Sequence, residues 1–243
     1  MAPSGLSEAG ADAILEKVVT FPDGLHYERL EPMTNFRRDN GIARILYRCR
    51  RKLDASSQIE QVDETFVMKV KFQVPCEAIR EPVDGPNLET VAELHALETF
   101  ALRKRASVPH LVTWKQMAQG PEGLLPGGYL VITIMTLMPG KTLLDLGFWS
   151  LTSDEQDTIR DAFLTTLKDV WRDGFVPYDR ALRNILWSRE TKQCSIVDFE
   201  HYNMESDPTS MNEKEEMALW GIVRRPALSW YEEWGLSAPR KAR

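Results

Sequence analysis

Three residues in the second half of the sequence have types and spacing that could do chemistry: Asp179, Asn184 five positions on, and Asp198 fourteen beyond that. A carboxylate can take a proton from an attacking hydroxyl. An amide oxygen and a second carboxylate are hard ligands of the kind magnesium prefers. Plainer uses exist for each: Asp179 could cap a turn, Asn184 could open a strand and Asp198 could close one. Upstream, Lys69 ends the run Phe66-Val67-Met68-Lys69, and Glu89 and Glu93 stand four residues apart, on one face of a helix. A single lysine in an alternating strand is usually solvated, and glutamates on an amphipathic helix usually face water.

The elements that must position these residues follow in a definite order. Residues 41–53 (GIARILYRCRRKL) and 64–74 (ETFVMKVKFQV) alternate apolar and basic side chains, which predicts two antiparallel strands with a turn at 54–57. From 87 to 105 the period changes: Leu88, Val91, Leu94, Leu97 and Phe100 recur as on the buried stripe of a helix. The continuous apolar run at 129–138 suits a strand buried on both faces, broken by Pro139-Gly140. Thr152 with Glu155, and Ser153 with Gln156, are capping-box pairs opening a helix whose stripe runs through Ile159, Ala162, Phe163, Thr166, Leu167, Val170 and Trp171 to a cap at Gly174. Apolar runs at 184–187 and 194–199 then flank a hairpin turn. Residues 1–12 have the composition of a mobile tail, Ala13–Val19 of a short helix, 214–225 of an amphipathic helix and 229–236 of an aromatic closing segment.

This order of elements resembles the protein-kinase-like superfamily. Phe66-Val67-Met68-Lys69 looks like the V-A-I-K strand, and Glu93 opens a stretch (ELHALETF) similar to the E-x-x-A-Y-x-x-L pattern of aminoglycoside and choline phosphotransferases. Asp179-Arg180-Ala181-Leu182-Arg183-Asn184-Ile185-Leu186 resembles H-x-D-x-x-x-x-N-I-L, and Ile196-Val197-Asp198-Phe199-Glu200 resembles the D-F-G strand in its D-F-E form. The whole is similar to small standalone kinase-like proteins of filamentous fungi, most of which have no assigned reaction. The resemblance implies an α+β, two-lobed kinase-like fold with a reduced C-terminal lobe: a tail at 1–12, an N-lobe at 13–137 and a C-lobe at 138–243. It implies ATP and Mg2+ as cofactors, with Lys69 on the phosphates and Glu93 as its partner, Glu89 being the alternative. The backbone of Thr136–Met138 would meet the adenine, Asp179 would serve the attacking hydroxyl, and Asn184 and Asp198 would hold the metal. A small molecule is the implied substrate and a phosphotransferase the implied activity.

Departures from the pattern bring other functions into view. No G-x-G-x-x-G precedes Lys69; the candidate turn is Arg37-Arg38-Asp39-Asn40-Gly41, whose arginines could serve phosphate instead. The loop histidine is replaced by Pro177, and the lysine two residues past the acid by Ala181, with Arg180 and Arg183 as stand-ins. About forty residues follow Glu200, without an A-P-E motif and too few for a polypeptide-docking lobe. One alternative is a kinase-like scaffold redirected to aminoacyl transfer, such as cyclodipeptide synthesis, with a charged tRNA on arginines 37, 38, 44, 48, 50 and 51. Another is a non-catalytic pseudokinase that binds nucleotide or a protein partner.

Bulk composition narrows the field. A net charge of −6 over 243 residues opposes non-specific attraction to nucleic acid. Cys49, Cys76 and Cys194 stand far apart and suggest neither a zinc site nor a disulfide framework, which fits a reducing compartment. With no signal-peptide pattern and no long apolar stretch, a cytoplasmic protein without a membrane partner is expected.

Overall fold

The computed structural model describes residues 14–52, 64–205 and 207–224 of the chain. They form a mixed α and β structure with two compact units: Met1–Met138 with Val197–His201, and Pro139–Ile196 with Tyr202–Arg243. The chain first changes unit between Met138 and Pro139, and the stretch 197–201 returns to the first unit.

In the first unit seven antiparallel strands form one sheet: β1 (Val18–Thr20), β2 (His26–Pro32), β3 (Arg37–Asp39), β4 (Ile42–Lys52), β5 (Thr65–Gln73), β6 (Leu111–Ala118) and β7 (Tyr129–Thr136). Their order is β1-β2-β4-β5-β7-β6, with β3 paired to β4. β3 and β4 are joined by Asn40-Gly41, with φ of 40° and 85°. Two positive values in a two-residue loop match the twist of the strands, and Asn-Gly is the pair that tolerates them. So Arg37 and Arg38, read from sequence as part of a turn, belong to a strand, and Arg38 donates to the carbonyl oxygen of Pro75.

Alternation assigns the faces of this sheet. Ala43, Ile45, Tyr47 and Cys49 of β4 and Phe66, Met68, Val70 and Phe72 of β5 point into a core with Val19, Phe21, Tyr27, Ile132 and Ile134. Tyr27 stacks edge-on against both Phe21 and Phe66, with centroids 5.5 and 5.6 Å apart. Burial pushes the thiol of Cys49 up to about 12, so it behaves as a small apolar side chain. Val67, Lys69 and Lys71 occupy the other face of β5, and they too are buried.

That second face lies under α1 (Leu88–Arg103), capped by Asn87, whose Oδ1 accepts from Thr90 N at 3.3 Å. The three-residue step predicts Leu88 and Val91 in its buried stripe, but they are 85% and 49% exposed. Thr90, Glu93, Leu94, Ala96, Leu97 and Phe100 are the buried positions. Three-residue steps drift around a helix of 3.6 residues per turn, so the run Leu88-Val91 leaves the face that Glu93, Leu97 and Phe100 share. Two more corrections concern local elements. Val18–Thr20 is a strand rather than the end of a helix, and β6, to which sequence patterning gives no element, pairs with β7 at the sheet's edge.

The second unit is built on α2 (Ser153–Arg172), whose N-cap Thr152 accepts from Glu155 N at 3.3 Å and whose buried stripe includes Ile159, Phe163, Thr166, Leu167, Val170 and Trp171. Gly174, at φ 88°, follows its end. Against α2 lies the hairpin β10 (Ile185–Ser188) and β11 (Gln193–Ile196), fastened by Thr166 Oγ1 donating to Cys194 O at 2.9 Å. β8 (Lys141–Thr142) joins β10, and β9 (Phe175–Pro177) pairs with β12 (Tyr202–Met204). The expected helix at 214–225 stops early: α3 covers Glu213–Leu219, because Gly221 turns the chain at φ 76°. No helix among the described residues is long and apolar enough to cross a membrane. The tail at 1–12, the turn at 54–57 and the segment at 229–236 lie outside the described residues.

Among the described glycines of this unit Gly140 has the closest backbone approach: a Cβ there would sit 2.3 Å from Trp187 O, at φ 103°. Both the clash and the φ oppose any side chain. Gly140→Ala is therefore expected to lower unfolding stability by roughly 2 kcal/mol or more, against about 1 kcal/mol for the cap variant Thr152→Ala, measured by urea titration. A Gly140→Ala loss no larger than that of Thr152→Ala would contradict the packing.

Candidate functional site

Lys69 and Lys71 project from the same face of β5, and the ladder on either side fixes their backbone: Lys69 is in register with Leu46 of β4 and Thr133 of β7, Lys71 with Arg44 and Val131. Residues two apart on a strand are about 7 Å apart, within reach of one carboxylate's two oxygens. Glu93 of α1 makes that bridge, with Oε1 2.5 Å from Lys69 Nζ and Oε2 2.9 Å from Lys71 Nζ. Glu89, one turn earlier, instead meets the side chain of its own capping residue Asn87. The lysine–glutamate pairing is thus made by Glu93.

The return segment adds two more acids. Phe199 is fully buried and meets Phe100 of α1 edge-on, with centroids 4.7 Å apart. On either side of this anchor, Asp198 and Glu200 turn towards the lysines. Glu200 Oε1 lies 2.6 Å from Lys69 Nζ and 3.1 Å from Lys71 Nζ, and its Oε2 accepts from Arg44. Asp198 stands at φ 69°, a left-handed conformation that costs a non-glycine residue about 1 kcal/mol or more. Its Oδ1 is 3.6 Å from Lys69 Nζ, is buried, and receives no hydrogen bond. Glu200 is 6% exposed and the counter-charge of three cations.

The electrostatics follow from this packing. Burial alone would lower the pKa of Lys69, but the carboxylates of Glu93, Asp198 and Glu200 outweigh it and hold it raised. Burial alone would raise Glu93 and Glu200; Lys69 and Lys71, with Arg44 added at Glu200, hold both lowered. Six charged groups sum to zero: Arg44, Lys69 and Lys71 against Glu93, Asp198 and Glu200. Lys71 and Glu200 were not picked out as site residues from the sequence, and Arg44 only as one of the arginines of the tRNA alternative. The available signal was alternation, which puts 69 and 71 on one face.

Beside the charges, Val67, Leu97 and Met135 form an apolar cluster with Leu46, Leu111 and Leu137 against it. β7 ends here. The N–H of Thr136 donates to His110 O at 3.1 Å, and its Oγ1 accepts from His110 N at 2.9 Å. That N–H is therefore not open to an adenine edge. The backbone of Met138 makes no backbone hydrogen bond among the described residues.

In the second unit, Asp179 opens the loop that ends in the single 3-10 turn Leu182–Asn184. Asn184 is buried, and its Nδ2 donates to Asp179 O at 2.9 Å and Asp179 Oδ2 at 3.0 Å. The acid and the amide, five residues apart, are thus locked together, and the Oδ1 of Asn184 is left as its acceptor. Arg183 donates to both oxygens of Asp179, at 2.6 and 2.7 Å. Arg180 makes a two-pronged pair with Glu216 of α3, 2.9 Å on each prong. Of the two arginines proposed from sequence as stand-ins, Arg180 fastens the loop and Arg183 attends the acid.

No model of a known protein family matches the chain. No curated protein matches it either. Among solved structures it is similar to the PK-1 kinase of the Cydia pomonella granulovirus, at 16% identity and a TM-score of 0.48, over 74% of this chain and 53% of that one. The chain thus spans about half the length of that kinase, and a likeness this distant carries no weight for activity.

Two outcomes follow from the buried charges. Glu93 and Glu200, lowered from an ordinary 4.5, contribute stability that is present above that value and lost as pH falls through their folded pKa values. Lys69, raised from 10.5, contributes stability present below that value and lost as pH rises through its folded pKa. Denaturant titration is expected to give a plateau from about pH 5 to 10 with an acid limb below it, shallower in Glu200→Gln. Removing Glu93 (Glu93→Gln) should cost about 3–5 kcal/mol at neutral pH, since it strands two buried lysines. A loss under about 1 kcal/mol, as for a surface pair, would contradict the burial.

Proposed function

We propose that this chain is a kinase-like ATP–magnesium phosphotransferase acting on a small molecule. The observation that carries the proposal is the buried pair of Lys69 and Glu93: a strand lysine held charged and rigid by a helix glutamate is the arrangement that receives α- and β-phosphates in kinases. The residues present fit a hard cation as well. Asp198 has a buried oxygen without a donor, and Asn184, its Nδ2 engaged, has an oxygen left to offer. Magnesium held on such an oxygen would supply charge neutralisation for the phosphates.

The chain's own side chains define the remaining roles. Lys69 holds the nucleotide's phosphates, Met138 offers its backbone to the base, and Asp179 orients the acceptor hydroxyl. Arg183, donating to both of its oxygens, fixes the direction in which Asp179 faces. The expected small-molecule acceptor follows from the sequence resemblance, as does a cytoplasmic setting.

A second reading is favoured by one observation: Glu200 already lies against Lys69, where a phosphate would be bound. A scaffold so filled suits another reaction, such as aminoacyl transfer, or a non-catalytic role. Its tRNA version draws little support from the arginine face, because Arg44, Arg48 and Arg50 are paired with Glu200, Glu31 and Glu28, and Arg38 with a carbonyl oxygen.

Thermal melting separates these readings. ATP with magnesium at 100 times its Kd should stabilise the full chain by about 2.7 kcal/mol, a rise of roughly 5–10 °C, and Lys69→Met should abolish the rise. Absence of any shift at millimolar nucleotide would reject the phosphotransferase. With a phosphoryl acceptor in hand, Asp179→Asn is expected to lower turnover about 10²–10⁴-fold while leaving the melting temperature and the nucleotide response near wild type.

A further inference from the structure

We propose that Arg44, Lys69 and Lys71 form an oxyanion seat whose resident occupant is the chain's own Glu200 carboxylate, and that an incoming phosphate binds by displacing it. This deepens the nucleotide reading and rests on it only for the identity of the anion. It adds to Lys69 two cations from outside the motifs, and gives Glu200 a task other than metal binding.

The geometry points this way on three counts. First, the three cations are an array created by the sheet and not by Glu200: Lys69 and Lys71 share a face of β5, and Arg44 is the ladder partner of Lys71 on β4. Like charges directly opposite one another on a sheet repel, so an anion at this position is required whatever its source. Second, both Glu200 oxygens face cations as a phosphate's would: Oε1 ion-pairs with two ammonium groups at 2.6 and 3.1 Å, and Oε2 accepts from a guanidinium. Third, the seat has an open side. The lysine side chains are 7% and 5% exposed, but those of Arg44 and Asp198 are 35% and 28% exposed. An anion arriving from solvent meets Arg44 first, and Arg44 takes the role that a glycine-rich turn plays elsewhere. Glu200 lies two residues past Asp198, whose left-handed backbone is a strained joint near the group that must move.

The test uses the full chain and inorganic pyrophosphate without magnesium, followed by calorimetric titration. Glu200→Ala vacates the seat and is expected to bind pyrophosphate at least tenfold more tightly than wild type, with a larger rise in melting temperature. Because Glu200→Ala strands three cations and could fail to fold, Glu200→Asp, one methylene too short to reach all three, is measured beside it and should show a smaller gain. Adding Arg44→Gln to either variant should remove most of the gain, and sodium chloride at matched ionic strength should not reproduce it. Equal pyrophosphate affinity in wild type and both Glu200 variants, a gain that survives Arg44→Gln, or a gain matched by chloride would each overturn the proposal. If ATP–magnesium leaves wild type unaffected while the Glu200 variants gain pyrophosphate affinity, the seat stands and the nucleotide reading falls; the reverse pattern keeps the nucleotide and removes the seat.

Discussion

Two ammonium groups on one face of an interior strand set the terms for the first unit. Lys69 and Lys71 lie in β5, hydrogen-bonded on both sides and covered on both faces, so neither can lean out to water. Leaving such charges unpaired would cost several kcal/mol each, which makes anions at their tips a condition of folding. α1 meets half of that condition with Glu93. The segment Val197–His201 meets the other half with Glu200, and this explains why a short piece of distant sequence packs with the first unit. Phe199 on Phe100 supplies the apolar grip that holds the acids in place.

The same condition accounts for departures from simple hydrophobic patterning. α1 is rotated so that Glu93 shares its buried stripe with Leu97 and Phe100, leaving Leu88 and Val91 outside. Ala96 is fully buried on the stripe, where a larger side chain would hold the helix further from the strand. A buried network of this kind contributes little net stability compared with an apolar core, but it tolerates few alternative arrangements. A cluster that needs an anion at a fixed point is a natural place to bind one.

The second unit handles its charges differently. Its loop is fastened by two arginines with separate tasks, Arg180 to Glu216 in a half-buried two-pronged pair and Arg183 to the more exposed Asp179. Asn184 ties backbone and side chain of Asp179 together, so the acid and the amide form one rigid unit despite lying in irregular structure. Pro177 fits this arrangement, since it ends β9 buried in the pairing to Tyr202.

Local chemistry made the elements legible in the sequence. The period-2 runs of β4 and β5, the Asn87 and Thr152 caps, the break at Pro139-Gly140 and the hairpin at 185–196 each rest on interactions among near neighbours, which sequence spacing encodes directly. The partnership of Lys69 with Glu93 was legible too, through a resemblance in spacing. What only the tertiary structure decided was anything depending on a partner far along the chain. The face of α1 that is buried, the involvement of Lys71 and Arg44, the burial of Glu200 and the division of labour between Arg180 and Arg183 are all of this kind. The physical reason is that a charge's environment is set by what packs over it. Glu200 is 156 residues from Arg44, and no local pattern could place them together.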